Sequence, residues 1–213
     1  SKNRLYQINY NDEHSINNKA GSRINDFLIK NHKNYDHIIV FDFGHNLINS
    51  EVIKTLNKIN KKTFINCQSN SSNFGFNLVN KYLAADTISM DEQEFRLSVQ
   101  DKNKSMKDLI KSNKNFIKKF KNFIVTMGKN GSYHISKNSN LFSPTIYSTF
   151  KDTTGSGDVF FSIYIALKIS KKFSNKEICL ICHIAAGLHA NKIGNDKIFD
   201  IRSLYKALDL ILK

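Results

Sequence analysis

Four short apolar runs, each closing on a polar residue or glycine, constrain this chain more than any other feature. Ile38-Ile39-Val40-Phe41 closes on Asp42, and Thr63-Phe64-Ile65 on Asn66. Thr87-Ile88-Ser89-Met90 closes on Asp91, and Phe123-Ile124-Val125-Thr126-Met127 on Gly128. Runs this short and this continuous read as strands buried on both faces. Helical periodicity fills the gaps: 16–31 with Ile24, Phe27 and Leu28 on one face, 47–59, 91–99, and a basic amphipathic stretch over 106–120. Strand alternating with helix predicts an α/β fold, a mainly parallel central sheet flanked by helices. Ligands of such sheets collect at the carboxyl ends of the strands. Asp42, Asn66, Asp91 and Gly128 all fall there.

The remaining elements follow the same logic. Tyr6, Ile8 and Tyr10 alternate and predict a short strand. The loop 68–73 is the most polar short segment, and 75–83 reads as a short helix or irregular chain. Gly128-Lys129-Asn130-Gly131 is a tight turn leading into Tyr133 and Ile135, a hairpin. Residues 141–150 read as extended, followed by helices at 156–172, 175–192 and 201–212.

The stretch Lys151-Asp152-Thr153-Thr154-Gly155-Ser156-Gly157-Asp158 is a polar, glycine-spaced turn, and Val159 to Ile169 reads as a buried helix. At such a helix start, free N–H groups and the positive dipole end make an anion site. Asp158 falls in the first helical turn, placed to take a proton from a hydroxyl beside bound phosphate. A capped helix with an acidic first turn gives the same spacing.

Composition narrows the function class. The formal net charge is +14 over 213 residues, but the lysines are scattered, which predicts a basic solvated surface over a nucleic-acid site. No apolar run reaches membrane-spanning length, so no membrane partner is expected. The start Ser1-Lys2-Asn3-Arg4 lacks Met and an apolar h-region, which predicts processing or a fragment and no signal peptide. Three cysteines, Cys67, Cys179 and Cys182, without an export signal fit a reducing cytoplasm. Cys179-Leu180-Ile181-Cys182-His183 matches a haem-attachment pattern, but its apolar neighbours read as a buried helix. Gly128 to Gly131 lacks P-loop spacing, so Lys129 reads as a solvated turn lysine. His45 reads as an exposed loop histidine.

Asp152-Thr153-Thr154-Gly155-Ser156-Gly157-Asp158 resembles the C-terminal signature of the ribokinase-like (PfkB) carbohydrate kinases, Asp-Thr-x-Gly-Ala-Gly-Asp, with Ser156 in place of Ala. Thr126-Met127-Gly128-Lys129-Asn130-Gly131 is similar to the family's Thr-x-Gly-x-x-Gly mark beside the nucleotide. Asp91-Glu92-Gln93-Glu94 is similar to its Asn-x-x-Glu element, with Asp91 where Asn is usual. The stretch Asn66-Cys67-Gln68-Ser69-Asn70, with Asn73-Phe74-Gly75-Phe76-Asn77, resembles the heptose-phosphate kinase-like subgroup fused to a cytidylyltransferase-type domain.

The resemblance implies a ribokinase-like three-layer sandwich covering residues 1–213, incomplete at its N-terminal part, with 1–13 a remnant of a lid strand. It implies ATP and Mg2+ as cofactors and a sugar or sugar phosphate as acceptor. Asp158 would be the base, and the Gly155, Ser156 and Gly157 amides the anion hole. Thr126, Gly128, Gly131 and His183 would meet the nucleotide. Glu94, Asp91 and Asp152 would hold magnesium, and Asp42 would meet substrate. Lids in this family pair between subunits, which implies a homodimer, and the subgroup implies a fused or partner nucleotidyltransferase. The family's N-terminal sugar-binding Asp and Gly-Gly motif does not precede Asp42. The alternative is therefore a catalytically silent or truncated nucleotide-binding scaffold of a bifunctional sugar-nucleotide enzyme.

Overall fold

The structure, a computed structural model, describes residues 16–59, 61–70, 73–147, 149–192 and 199–212. The short strand read over Tyr6 to Tyr10 lies outside them. The first half runs α1 (Ile16–Asn31), β1 (His37–Asp42), α2 (Ser50–Lys58), β2 (Lys62–Cys67), β3 (Ala85–Asp91), α3 (Glu92–Val99), α4 (Met106–Ser112) and α5 (Lys114–Ile117). The second half runs β4 (Phe120–Thr126), β5 (Ser132–Ser136), β6 (Ser139–Ser143), α6 (Ser156–Ser170), α7 (Asn175–Ala190) and α8 (Ile201–Leu212).

The six strands form one sheet in sequence order, β1 to β6. β1 to β4 are parallel, and β5 and β6 close the sheet as antiparallel hairpins. This is the mixed α/β, mainly parallel sheet that the alternation predicts. Successive side chains of a strand point to opposite faces, and the core divides accordingly. Val40, Ile65, Ile88, Met90, Phe123 and Val125 face the side packed by Val52, Phe95 and Leu109 of α2, α3 and α4. Ile124 faces the other side, under Phe160, Tyr164, Ile178 and Cys182 of α6 and α7. Phe64 also faces that side, against Phe161 and Ile165. Burying a phenylalanine contributes roughly 2–3 kcal/mol, so the Phe64–Phe161 contact anchors α6 over β2 by apolar packing.

Two helices depart from the sequence pattern by more than two residues, each because of an asparagine. α2 begins at Ser50 and not at Leu47, because Asn49 Oδ1 accepts from Glu51 N and Val52 N at 3.1 and 3.0 Å and caps it there. The stretch 106–120 divides into α4 and α5 at Asn113, whose Nδ2 donates to Leu109 O at 2.9 Å. A side chain that bonds local backbone offers an alternative to the helical ladder. Phe120, read as the end of that helix, instead opens β4 and pairs with Ala85.

Candidate active site

α6 carries Asp158 to its position. Phe161 of α6 rests on Phe64, and Asp158 lies about one turn nearer the carboxyl end of the strands. Phe64 and Asn66 of β2 and Gln68, one residue beyond it, lie two apart and share a face. Asn66 Nδ2 therefore reaches Asp158 Oδ1 at 3.1 Å, and Gln68 Nε2 donates to that same oxygen. Gly155, with φ +77°, occupies the left-handed region that opens α6. The Gly155 and Gly157 N–H groups have no acceptor among the described residues, while Ser156 N–H donates to Thr153 O at 3.1 Å. Ser156 Oγ is buried and has no hydrogen-bond partner among them.

The opposite wall is the start of α3. Asp91 and Glu94 form a reciprocal capping box: Asp91 Oδ1 accepts from Glu94 N, and Glu94 Oε2 from Asp91 N, both at 2.7 Å. Glu94 Oε1 accepts from Ser69 N at 2.6 Å, tying α3 to the chain leaving β2. Burial, with Asp91 beside it, pushes the Glu94 carboxyl up to about 7. Burial also raises Asp91. Register pairs Asp91 with Thr126, which brings the nucleotide-type turn to this wall. Gly131, at φ +93°, packs so closely that a Cβ would run into Ser143 O and Pro144 Cα.

Between the walls lies a cleft of about 490 Å³. It is lined by Asp158, Gly155, Ser156 and Gly157, by Asp91 and Glu94, by Thr126, Gly128 and Gly131, and by His183. Ten of the twelve predicted site residues thus converge. Its far end is apolar, with Phe150, Phe160, Ala186, Gly187 and Ala190. There His183 Nε2 and Ser132 Oγ are hydrogen-bonded at 2.9 Å, and the ring meets Phe160 edge-on at 5.2 Å. Burial depresses His183 to about 4, which keeps the ring neutral at pH 7.

The loop feeding the anion turn is fastened to α7. Lys151 N and Asp152 N both donate to Ala190 O, and His189 Nε2 donates to Thr154 O at 2.9 Å. Tyr147 occupies the space a Cβ on Gly187 would fill.

Two predicted residues stand outside the cleft lining. Asp152 Oδ1 accepts from Thr154 N at 2.9 Å, an Asx turn beside the anion turn. Asp42 is 2% exposed and closed in by its partners. Its carboxylate accepts from Tyr82 OH at 2.6 Å and Gly44 N at 3.1 Å, and pairs with Lys81 Nζ at 2.5 Å. The Cys-x-x-Cys-His run is buried within α7, as its apolar neighbours predict. No three His, Cys, Asp or Glu side chains converge as a metal set among the described residues.

Asn66, Gln68 and Ser69 are site residues without a role in the sequence reading. Asn66 was legible as a strand end. The signal for Gln68 is the two-residue repeat Phe64, Asn66, Gln68, set against Asp158 and Phe161 three apart on a helix.

A family model described as pfkB family carbohydrate kinase matches residues 8–195. No curated protein sequence matches the chain. Among solved structures, Arabidopsis thaliana ribokinase complexed with ribose and ATP is similar at TM-score 0.69 and 20% identity, over 86% of this chain and 59% of that one. A variant of Escherichia coli phosphofructokinase-2 gives TM-score 0.70 and 12% identity, over 90% and 62%. A putative Escherichia coli ribokinase II in complex with ATP and Mg2+ gives 0.66 and 15%, over 87% and 61%. The chain therefore spans about three-fifths of the length of these relatives, and the likeness establishes the ribokinase-like fold.

Proposed function

The chain belongs to the pfkB family of carbohydrate kinases, and from that premise we propose that it transfers the terminal phosphoryl group of ATP to a hydroxyl of a sugar or sugar phosphate. The observation that carries this reading is the pairing of Asp158 with acceptor-free Gly155 and Gly157 N–H groups at one helix start, on the rim of one cleft. Phosphoryl transfer asks for positioning and charge stabilisation more than for covalent chemistry. Asp158 takes the acceptor's proton as the oxygen attacks, and the α6 amides hold the moving phosphoryl oxygens. The apolar end by His183, Phe160 and Gly187 receives the nucleobase, with Thr126, Gly128 and Gly131 along the nucleotide. The neutral His183 ring presents an uncharged edge there.

The donor set fits magnesium in one manner. Glu94 and Asp91 offer hard oxygens, but capping bonds occupy part of each carboxylate. They would hold the ion with water and phosphate oxygens filling the other positions, Asp152 assisting from the rim. The ion would supply charge neutralisation between the phosphates.

For the acceptor we favour a heptose-phosphate-like sugar, on the resemblance of 66–77, with a fused or partner nucleotidyltransferase. Dimerisation and a cytoplasmic setting belong to the same reading. The test is turnover with ATP over a panel of sugars and sugar phosphates, for wild type and Asp158→Asn. Loss of turnover with ATP binding kept supports the base assignment, and unchanged turnover overturns it. ATP binding without turnover on any acceptor would favour a nucleotide-binding scaffold.

A further inference from the structure

We infer that Asn66 and Gln68 are a positioning pair that fixes which oxygen of Asp158 does the chemistry. This rests on the base role given to Asp158 above. Both amides donate to one oxygen, Oδ1. Oδ2 has no hydrogen-bond partner among the described residues. Two donors on Oδ1 stop the carboxylate from rotating about its last bond and leave Oδ2 as the oxygen offered to the acceptor hydroxyl. A reacting atom misplaced by an ångström costs about 10²-fold in rate.

The pair is itself held. Asn66 is 4% exposed and lies in register between Phe41 and Ser89. Gln68 N donates to Asp42 O at 2.9 Å, and Asn77 Nδ2 to Gln68 O at 2.8 Å. Asn77 Nδ2 also reaches Asp42 O at 3.2 Å. The buried Asp42 and Tyr82, with the half-buried Lys81, thus form the footing under the strand end that carries the pair. Neutral amides suit this task. A lysine or arginine would pair with Asp158 and weaken it as a base, whereas an amide orients it and adds no net charge.

The experiment compares Asn66→Ala, Gln68→Ala and the isosteric Gln68→Glu with wild type and Asp158→Asn. Turnover, ATP affinity and thermal unfolding are measured in each. We expect kcat to fall about 10²-fold in either alanine variant, with the dissociation constant for ATP and the unfolding midpoint kept. Gln68→Glu puts a second carboxylate against Asp158, so the pH below which kcat falls moves upward. A residue remote from the Asp158 carboxylate would not move that profile. A readout free of turnover runs beside it: the Asn66 and Gln68 side-chain amide proton resonances shift in Asp158→Ala. Alanine variants that turn over at the wild-type rate while Asp158→Asn is inactive, or amide resonances indifferent to Asp158→Ala, overturn the inference. If Asp158→Asn turns over normally while those resonances still move, the base assignment fails and the contacts stand.

Discussion

Asp158 and Asp42 lie at element ends along the carboxyl edge of the sheet, and both looked from the sequence like groups that meet substrate. Asp158 is met on one oxygen by two uncharged amides, at the rim of an open cleft. Asp42 is buried beneath Tyr82, Lys81 and the Gly44 amide, with a cation on it. A carboxylate with an oxygen to spare can accept a proton from a ligand, whereas one whose lone pairs are all engaged holds structure. Which partners surround the group, and not its place at a strand end, separates the two. The loops explain the difference. Gly44, at φ +75°, folds the chain after β1 back so closely that a Cβ would run into Asn77. Gly155 instead opens α6 toward the cleft.

The largest expected effect breaks the comparison if it fails. Asp158→Asn removes the proton acceptor while keeping its size, so kcat should fall about 10²–10⁴-fold, with little change in thermal stability. Asp42→Ala should do the reverse to the fold, exposing the loss in urea unfolding. It strips Lys81 and Tyr82 of a buried partner, a cost of about 3 kcal/mol. Lys81 keeps 27% of its side chain in water, which limits the penalty on that side. A stable Asp42→Ala protein with intact unfolding would mean that the buried network is not the footing it is taken for.

A milder test sits on the loop that leads to Asp158. Gly187→Ala pushes into the Tyr147 ring, which packs where the new methyl must go. Overpacking of this kind costs about 1–3 kcal/mol. Tyr147 and the residues 149–155 should lose their seat on α7, and ATP affinity should fall with stability. Calorimetric titration together with thermal melts checks both. Unchanged ATP affinity would show that the packing of Tyr147 on Gly187 does not set the geometry of the anion turn.

How much of this was legible beforehand depends on the range of the signal. The parallel strands and most helices could be read because period and apolar content act locally. So could the glycine turns, because a positive φ at Gly155 or Gly131 leaves few other residues. Nine of the ten site residues converge because they occupy the ends of strands, the turns that follow them or the first turns of helices, which the fold class alone brings to one edge; His183, inside α7, joins them through the packing of α7 on α6. Asp42 could not be separated from Asp158 in this way. Its neutralising partners, Lys81 and Tyr82, are 39 and 40 residues away and carry no local mark. Gln68 read as loop because its role depends on a helix 90 residues later. The capping duty of Asp91 and Glu94 was equally present in the spacing Asp-x-x-Glu. The kinase resemblance directed that spacing to metal, and the structure has the two carboxylates capping α3 while facing the cleft.

Glu94 is the intermediate case between the two aspartates and gives the smallest effect. Both its oxygens accept, as in Asp42, but only from backbone N–H groups, with Asp91 nearby and Asp158 adding to the repulsion. In the folded chain its carboxyl titrates at about 7, above the ordinary 4.5 of a glutamate. Between those two values the folded chain holds a proton that the unfolded chain has released, so this group makes stability fall as pH rises from about 4.5 to 7. His134 and His183, each depressed to about 4 by burial, act in the opposite direction between about 4 and 6.5. The comparison that isolates the glutamate is therefore wild type against Glu94→Gln, melted at a series of pH values without divalent ions. The stability difference should move toward the glutamine variant across pH 4.5–7 and then level off. A difference that stays flat over that window would mean that the backbone donors alone keep Glu94 ionised, which would place it with Asp42 as a saturated structural carboxylate.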